Sequence, residues 1–415
     1  MVLFAWGANK SGQLGLGHHN DQLLPCLVQW QPVPQPAVPA VKAICGGGAH
    51  SALVTDSGDL YVCGQNSHGQ LGLGHLEDVA NFTRCPALPG CSVAKVACGW
   101  EFTLILTVDG QLFSCGSDSH GQLGLGTGSK SSSAHVSTPV KVLEHCLCDI
   151  AAGLRHSLAI TWEGTVLQWG LGMLIRARRA GTVPSYLQAS TPSAILGLPE
   201  DMKFVQVSAG AHHSAALSVE GKVFLWGDNS KGQILQADKA FVPHPMSPDL
   251  SFLEEKVSSM ASGWSHIVVN TGTKVLAWGR GDYGQLGDDG LFCGTGEKAL
   301  GARVKRTITG LCHVRAVACG SEHTLAIAIT RSEPNRAFMG YSGTVPETAF
   351  STSIKQVTHR DVLGLERAWH VWHRKRDECA RATCRGLHVH LRSRCTFVCR
   401  CRSRWCWSRS FLRRL

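Results

Sequence analysis

The amino-acid sequence predicts an all-β propeller, and three recurring landmarks predict it. An aromatic or Cys residue followed by Gly appears at Trp6-Gly7, Cys63-Gly64, Cys115-Gly116, Trp169-Gly170, Trp226-Gly227 and Trp278-Gly279, at steps of 57, 52, 54, 57 and 52 residues. A Gly-x-x-His quartet recurs at Gly47–His50, Gly153–His156, Gly210–His213, Gly263–His266 and Gly320–His323, and Gly99–Phe102 fills the remaining slot with Phe in place of His. Gly-Gln-Leu-Gly recurs at 12–15, 69–72, 121–124 and 284–287, degenerates to Gly232-Gln-Ile-Leu235, and is absent after Trp169. Self-similarity at a steady period marks units that cannot bury both faces alone and must stack on one another.

Each unit reads in the same order. After the quartet comes a short apolar run, such as His50-Ser-Ala-Leu-Val-Thr55, then a Gly-bearing turn such as Asp56-Ser-Gly58-Asp59. A second apolar run closes on the Trp-Gly pair, as in Lys222-Val-Phe-Leu-Trp-Gly227. Two apolar runs around such a turn make a hairpin. A second hairpin is expected from the Gly-Gln-Leu-Gly region and the strand entering the next quartet, for example Val93–Cys98. Four strands make one blade. A Gly fixed in every unit implies positive φ or close backbone approach. The repeated His is expected to hydrogen-bond backbone inside its own blade; residues spread over five blades cannot ligate one metal ion, so no metal site is expected.

Composition agrees. Gly is high at 46 residues and charged residues are only 17%, which suits short strands and tight turns rather than helical bundles. No window approaches 18 consecutive apolar residues, so no integral membrane span is expected. Met1–Gly7 lacks a basic region and a long apolar core, so no signal peptide is expected. Of the 18 Cys, Cys45, Cys98 and Cys319, and likewise Cys63 and Cys115, fall at repeated places inside apolar segments where other units carry Ala, Ser or Trp. Such residues fill space as reduced thiols, which implies a cytoplasmic and nuclear chain.

The formal net charge of +10 belongs to the end of the chain. Residues 331–415 hold 18 Lys and Arg against 6 Asp and Glu, leaving 22 basic and 24 acidic residues before them. The sequence therefore divides into a propeller over 1–330 and a divergent basic, Arg- and Cys-rich tail over 331–415 that is not expected to form a packed fold. Cys395, Cys399, Cys401 and Cys406 lack paired zinc spacing. Arg with Trp405 and Trp407 gives nucleic acid only weak, salt-sensitive binding. Gly124–Lys130 has the wrong spacing for a phosphate loop, and Gln31–Pro39 reads as an inter-strand insertion. No nucleophile–base pair is present, so neither catalytic residues, covalent catalysis, a cofactor nor a small-molecule substrate is expected.

Trp6-Gly-Ala-Asn-Lys-Ser-Gly-Gln-Leu-Gly15 and Cys63-Gly-Gln-Asn-Ser-His-Gly-Gln-Leu-Gly72 resemble the repeat of the regulator-of-chromosome-condensation family. The resemblance covers roughly residues 3–330 and implies a propeller of that repeat. Family propellers usually have seven blades, with the first strand pairing into the last blade. This sequence shows six recognisable units, the last blade missing or degenerate.

Val96-Ala-Cys-Gly-Trp-Glu-Phe-Thr103, Ala152-Gly-Leu-Arg-His156 and Gly279–Gly287 are most similar to a branch of the family concerned with regulated secretion. That similarity implies a Ras-superfamily small GTPase as partner, guanine nucleotide exchange as the activity, and an exocyst subunit as a further partner. The two residues inside each quartet vary around a fixed turn, as recognition surfaces on rigid scaffolds do. In the family's exchanger the residues just before the quartet His face the GTPase; carried over by position, the candidates here are Glu101, Arg155, His212 and Glu322, with Trp100 and Trp264 as apolar anchors. An exchanger needs no nucleophile: a carboxylate such as Glu101 or Glu322, offered to the phosphate-binding Lys of a GTPase, weakens nucleotide binding. The exchanger's wedge insertion cannot be placed in this sequence. The alternative is a propeller scaffold that binds a protein or chromatin partner without touching nucleotide.

Overall fold

The structure, a computed structural model, describes residues 3–328 apart from 29–39, 87, 89, 127–134, 144–145, 182, 237–238, 252, 254, 288–305 and 308–313. The expectations for the basic tail, its Cys and Trp residues, the Pro-rich insertion and most of the Gly124–Lys130 loop fall outside these residues.

Five antiparallel four-stranded sheets follow one another. A two-stranded ribbon comes first: β1 (Phe4–Gly7) and β2 (Gln22–Leu27). Blade one is β3 (Val41–Gly46), β4 (His50–Thr55), β5 (Leu60–Gly64) and β6 (Val79–Arg84). Blade two is β7 (Val93–Cys98), β8 (Phe102–Thr107), β9 (Leu112–Ser117) and β10 (His135–Leu143). Blade three is β11 (Leu147–Ala152), β12 (Ser157–Thr161), β13 (Val166–Trp169) and β14 (Ser193–Ala194). Blade four is β15 (Phe204–Ala209), β16 (His213–Ser218), β17 (Val223–Asp228) and β18 (Phe241–Met246). Blade five is β19 (Ser259–Ser262), β20 (His266–Asn270), β21 (Val275–Gly279) and β22 (Arg306–Thr307). A second ribbon follows, β23 (Val314–Cys319) and β24 (Thr324–Ala328). The propeller expected from the landmarks is therefore present, as five complete blades and two half-blades among the described residues.

Register explains the landmarks. The quartet His and the Gly of Trp-Gly are cross-strand partners: His50 with Gly64, His213 with Gly227, His266 with Gly279. Gly227 sits at φ 106°, a conformation that L side chains rarely adopt. The quartet Gly answers to close approach instead. A Cβ on Gly153 would lie 2.2 Å from the His156 ring and 2.6 Å from the Gly210 carbonyl oxygen of the next blade.

The second hairpin differs from the expectation. Gly-Gln-Leu-Gly lies in the loop between the third and fourth strands, and Val93–Cys98 starts the next sheet rather than closing the previous one. A side chain shapes that loop: Asn9, Asn66, Asp118 and Asn229 each accept from the backbone N–H five residues on, at Leu14, Leu71, Leu123 and Ile234, over 2.8–3.0 Å. These amides and one carboxyl hold turns where period-two alternation would ask for a strand.

The cores sit between sheets, not within them. Ala215, Leu217, Leu225, Met260, Ile267 and Leu276 join blades four and five, and Phe102, Leu104, Leu123, Ile150 and Ala159 join blades two and three. Trp169 and Trp278 are fully buried in these seams and Trp226 in the one between blades three and four, and Cys63 and Cys115 take the same place in the first two blades.

The quartet His also bridges seams, which corrects the expectation of an intrablade backbone bond. His50 Nε2 donates to Thr103 Oγ1 at 2.9 Å, and His266 Nε2 to Thr324 Oγ1 at 3.1 Å. Each threonine hydroxyl in turn donates to a backbone carbonyl, of Gln70 at 2.7 Å and Gln285 at 2.8 Å. The accepting hydroxyl thus fixes the imidazole proton on Nε2. Those carbonyls belong to Gly-Gln-Leu-Gly, so the third landmark is a clasp between blades. Gln122 O takes Ser157 Oγ at 2.7 Å and Trp169 Nε1 at 2.9 Å, and Gln233 O takes Trp278 Nε1 at 2.9 Å.

Cysteine positions also need one correction. Cys98 and Cys319 stand directly before their quartet Gly, whereas Cys45 stands two residues before Gly47. The described cysteines are free thiols.

Among the described residues, blade three carries a segment outside the repeat template. Where Gly-Gln-Leu-Gly is absent, α1 (Leu174–Ala180) and a 3-10 turn (Ser185–Leu187) close over the seam with Met173, Ala177, Tyr186 and Leu187. No clasp carbonyl is offered there, and Trp226 Nε1 donates instead to Gln168 Oε1 at 2.7 Å.

Candidate partner-binding face

Because the second strand of each blade starts where the third ends, the quartet turns and the loops after Trp-Gly emerge at the same end of the sheets. The quartet turns surround a cavity of about 520 Å³, lined by Gly47, Gly99, Gly153, Gly210, Gly263 and Gly320. Backbone links tie neighbouring turns: Gly48 N–H to Gly99 O at 3.1 Å, Ala211 N–H to Trp264 O at 3.0 Å, Trp264 N–H to Ser321 O at 3.2 Å.

The six residues singled out by the sequence sort into three groups here. Trp100 of blade two and Trp264 of blade five stack at the cavity mouth, ring centroids 5.3 Å apart and planes inclined by 27°. They remain 38% and 37% exposed, so their outer faces are available. Exposed, rigid and aromatic, such a pair suits a hot-spot anchor.

Glu101, Arg155 and His212 form a second group. Arg155 is exposed, while Glu101 and His212 are half-buried. Burial lowers the pKa of His120, the Arg155 charge lowers it further, and the Glu101 carboxylate opposes them. His212 is also lowered, first by burial, then by Arg176, against Asp228; its Nδ1 is buried without a hydrogen-bond partner. Arg176 reaches from α1 into an ion pair with Asp228 of β17. Glu101 makes no ion pair among the described residues.

Glu322 stands apart. Arg280 holds it at 3.0 Å while also pairing with Asp282 at 2.7 Å and lying over the Tyr283 ring at 4.8 Å. Arg176, Asp228, Arg280 and Tyr283 were not singled out by the sequence. A signal existed for two of them: Asp228 and Arg280 directly follow Trp-Gly, where the other units carry Ala8, Gln65, Ser117 and Leu171, variable residues at another fixed place.

Among the described residues no group of three His, Cys, Asp or Glu is arranged to hold a metal ion, and no helix is long and apolar enough to cross a membrane.

A propeller of this repeat, with its variable turns gathered at one end, defines a class of protein, and the chain belongs to it: residues 2–339 match the RCC1-like domain. Among named relatives it is 44% identical over 344 residues to the secretion-regulating guanine nucleotide exchange factor of Bos taurus, covering 79% of this chain and 72% of that one. The Mus musculus protein of the same name is 43% identical over the same length and coverage. Among solved structures, human WBSCR16 superposes with a TM-score of 0.65 at 24% identity, covering 79% of this chain and 85% of that one, a likeness of fold.

Proposed function

We propose that this chain is a small-GTPase-directed regulator of the guanine nucleotide exchange factor type, acting in protein secretion, and that the quartet turns are its contact face. The observation that carries this reading is the 44% identity, over most of the chain, to a relative named for that activity. The face supports it with the exposed Trp100–Trp264 stack beside Glu101, a carboxylate with no ion pair among the described residues. In this reading the stack anchors the GTPase and Glu101 approaches its phosphate-binding Lys. The free thiols agree with work in the cytoplasm and nucleus, and an exocyst subunit is a second candidate partner.

The test is release of a fluorescent guanine nucleotide from a panel of Ras-superfamily GTPases, with binding measured alongside. One GTPase should bind and lose nucleotide faster. Trp100→Ala and Trp264→Ala should each weaken binding about tenfold or more, as expected for exposed aromatic anchors that a partner covers. No binding by any member of the panel would sink the proposal.

One observation favours the scaffold alternative: Glu322 is already held by Arg280, leaving Glu101 as the remaining candidate carboxylate. Binding that survives Glu101→Ala and Glu322→Ala, without nucleotide release, would be its mark.

A further inference from the structure

Cys45 and Cys98 lie in the seam between blades one and two, beneath the turns of the proposed contact face. The one-residue stagger noted above brings them together. The Cys98 N–H donates to Cys45 Sγ at 3.2 Å, and Cys98 Sγ lies 4.0 Å from the Cys45 carbonyl oxygen. The same stagger recurs between blades four and five, where the Ser262 N–H donates to Ser208 Oγ at 2.9 Å. The geometry is thus a property of the seam, and in the first seam two sulfurs occupy it.

Their environments differ in the way that exchange chemistry needs. Cys45 is half-buried, and its neighbours Gly46 and Cys98 line the central cavity. The neighbouring Cys98 thiol, then the Cys98 backbone N–H and the Lys95 charge, outweigh burial and hold the Cys45 thiol below its ordinary value. Cys98 is pushed well up. Cys63 is different: fully buried, it approaches the Gln13 carbonyl at 3.5 Å, and burial pushes its thiol up.

We propose that Cys45 and Cys98 are a reversible oxidation site that closes a disulfide between blades one and two, with Cys45 as the attacking thiolate, Cys98 as the resolving thiol and a hydroperoxide as the oxidant. The Cys45 thiolate attacks one peroxide oxygen; the O–O bond breaks, an S–O bond forms, and the leaving oxygen takes a proton to become water or an alcohol. The Cys98 sulfur then attacks the sulfenic sulfur, and the hydroxyl leaves with the Cys98 proton as a second water. Two thiols lose two electrons and the peroxide gains them; a dithiol reverses the bond. The bond would tie the Gly47 turn to the Gly99 turn, where a Cβ on Gly48 would already meet the Trp100 ring at 2.9 Å. Any effect on partner binding rests on the proposed function, but the thiol chemistry does not.

The experiment uses the full chain, reduced and then treated with a few equivalents of hydrogen peroxide, followed by non-reducing peptide mapping. The expected product joins the Cys45 peptide to the Cys98 peptide, short of two hydrogens and restored by dithiothreitol. Cys98→Ser should leave a sulfenic acid on Cys45 that dimedone traps. Cys45→Ser, which places a hydroxyl where Ser208 already shows one fits, should abolish the link while keeping the melting curve of the parent. In the reduced chain at pH 7, Cys45 should alkylate about threefold faster than cysteine in an unstructured peptide: a larger thiolate fraction is partly offset by lower intrinsic nucleophilicity. Scrambled pairing of Cys45 with other cysteines, an equal yield of the link in urea, or alkylation no faster than the peptide would each overturn the assignment. So would a Cys98→Ser chain that dimedone leaves unlabelled.

Discussion

His213 shows what a single residue in a seam contributes. His50, His156 and His266 each find a hydroxyl on the next blade, at Thr103, Ser214 and Thr324. His213 faces a blade that carries Ile267 at that place, and neither of its ring nitrogens has a partner. Burial lowers His213 and His156 to about 3, and His50 and His266 to about 4. A base whose folded pKa lies below its unfolded value near 6.5 favours folding in its neutral form. Its contribution is complete above pH 6.5 and is lost as pH falls from there towards the folded value. The melting temperature should therefore drop steeply between pH 6.5 and pH 4. His213→Phe removes an unpartnered imidazole and inserts the residue that blade two already accepts as Phe102. The variant should melt no lower than the parent at pH 7. At pH 5 it should keep more of its stability, by on the order of 1–2 kcal/mol, the cost of charging one buried imidazole over 1.5 pH units. Parallel melts at the two pH values check this; an unchanged pH slope would show that His213 is not among the groups titrated on unfolding.

At the scale of elements, the hairpins were legible because each landmark pair is also a cross-strand pair, so sequence period and register coincide. The fourth strand was not. Val79–Arg84 has no landmark and mixes half-buried with exposed residues, so its pattern is weaker than that of the more apolar Val93–Cys98, which belongs to the next sheet. The helix α1 was missed for a different reason. Leu174–Ala180 is all good helix formers except Ile175 and ends at Gly181 with φ 101°, yet a repeat template makes any departure look like decay. The candidate face was half legible: the variable quartet positions that line it stand out in the sequence, but their charged neighbours do not, because ion pairs such as Arg176 with Asp228 join elements whose approach no spacing encodes. Gln168 tests how the departure is compensated. Its side chain replaces the missing clasp carbonyl as acceptor for Trp226. Gln168→Ala should strand a fully buried indole N–H and cost about 1–3 kcal/mol. Gln122→Ala should leave the Trp169 indole bonded, because there the acceptor is a backbone carbonyl that substitution leaves in place, and should cost only about 0.5–1.5 kcal/mol for the bond its Oε1 accepts from the His120 N–H. Denaturant midpoints of the two variants decide between side-chain and backbone clasping.

For the whole molecule, the decisive contrast is between equivalent residues at the ends and in the middle of the strand series. Trp169, Trp226 and Trp278 are fully buried, while Trp6, at the same repeat position, is 53% exposed, with Phe4 at 51%. The reason is topological: among the described residues β1 pairs with β2 alone, where every other Trp-Gly strand has a partner on each side. At the far end β24 pairs, among the described residues, with β23 alone, and Leu325 is 60% exposed. The first ribbon carries the landmarks of a blade's outer pair and the last ribbon those of an inner pair. Strand edges of this kind, with apolar side chains beside unpaired backbone groups, are templates for association. Sedimentation velocity should show the average mass of the chain rising with concentration, and Trp6→Lys with Leu325→Lys together should hold it at the monomer. A different physics would follow if β24 met β1 of the same chain in the register that His50 and Gly64 set, placing His323 opposite Gly7 and Thr324 opposite Trp6. Trp6 would then emit as a buried indole, the parent would stay monomeric, and the two lysines would lower its melting temperature instead of its mass. The pair of measurements separates the two, because a charge on a free edge changes association and a charge in a closed seam changes stability.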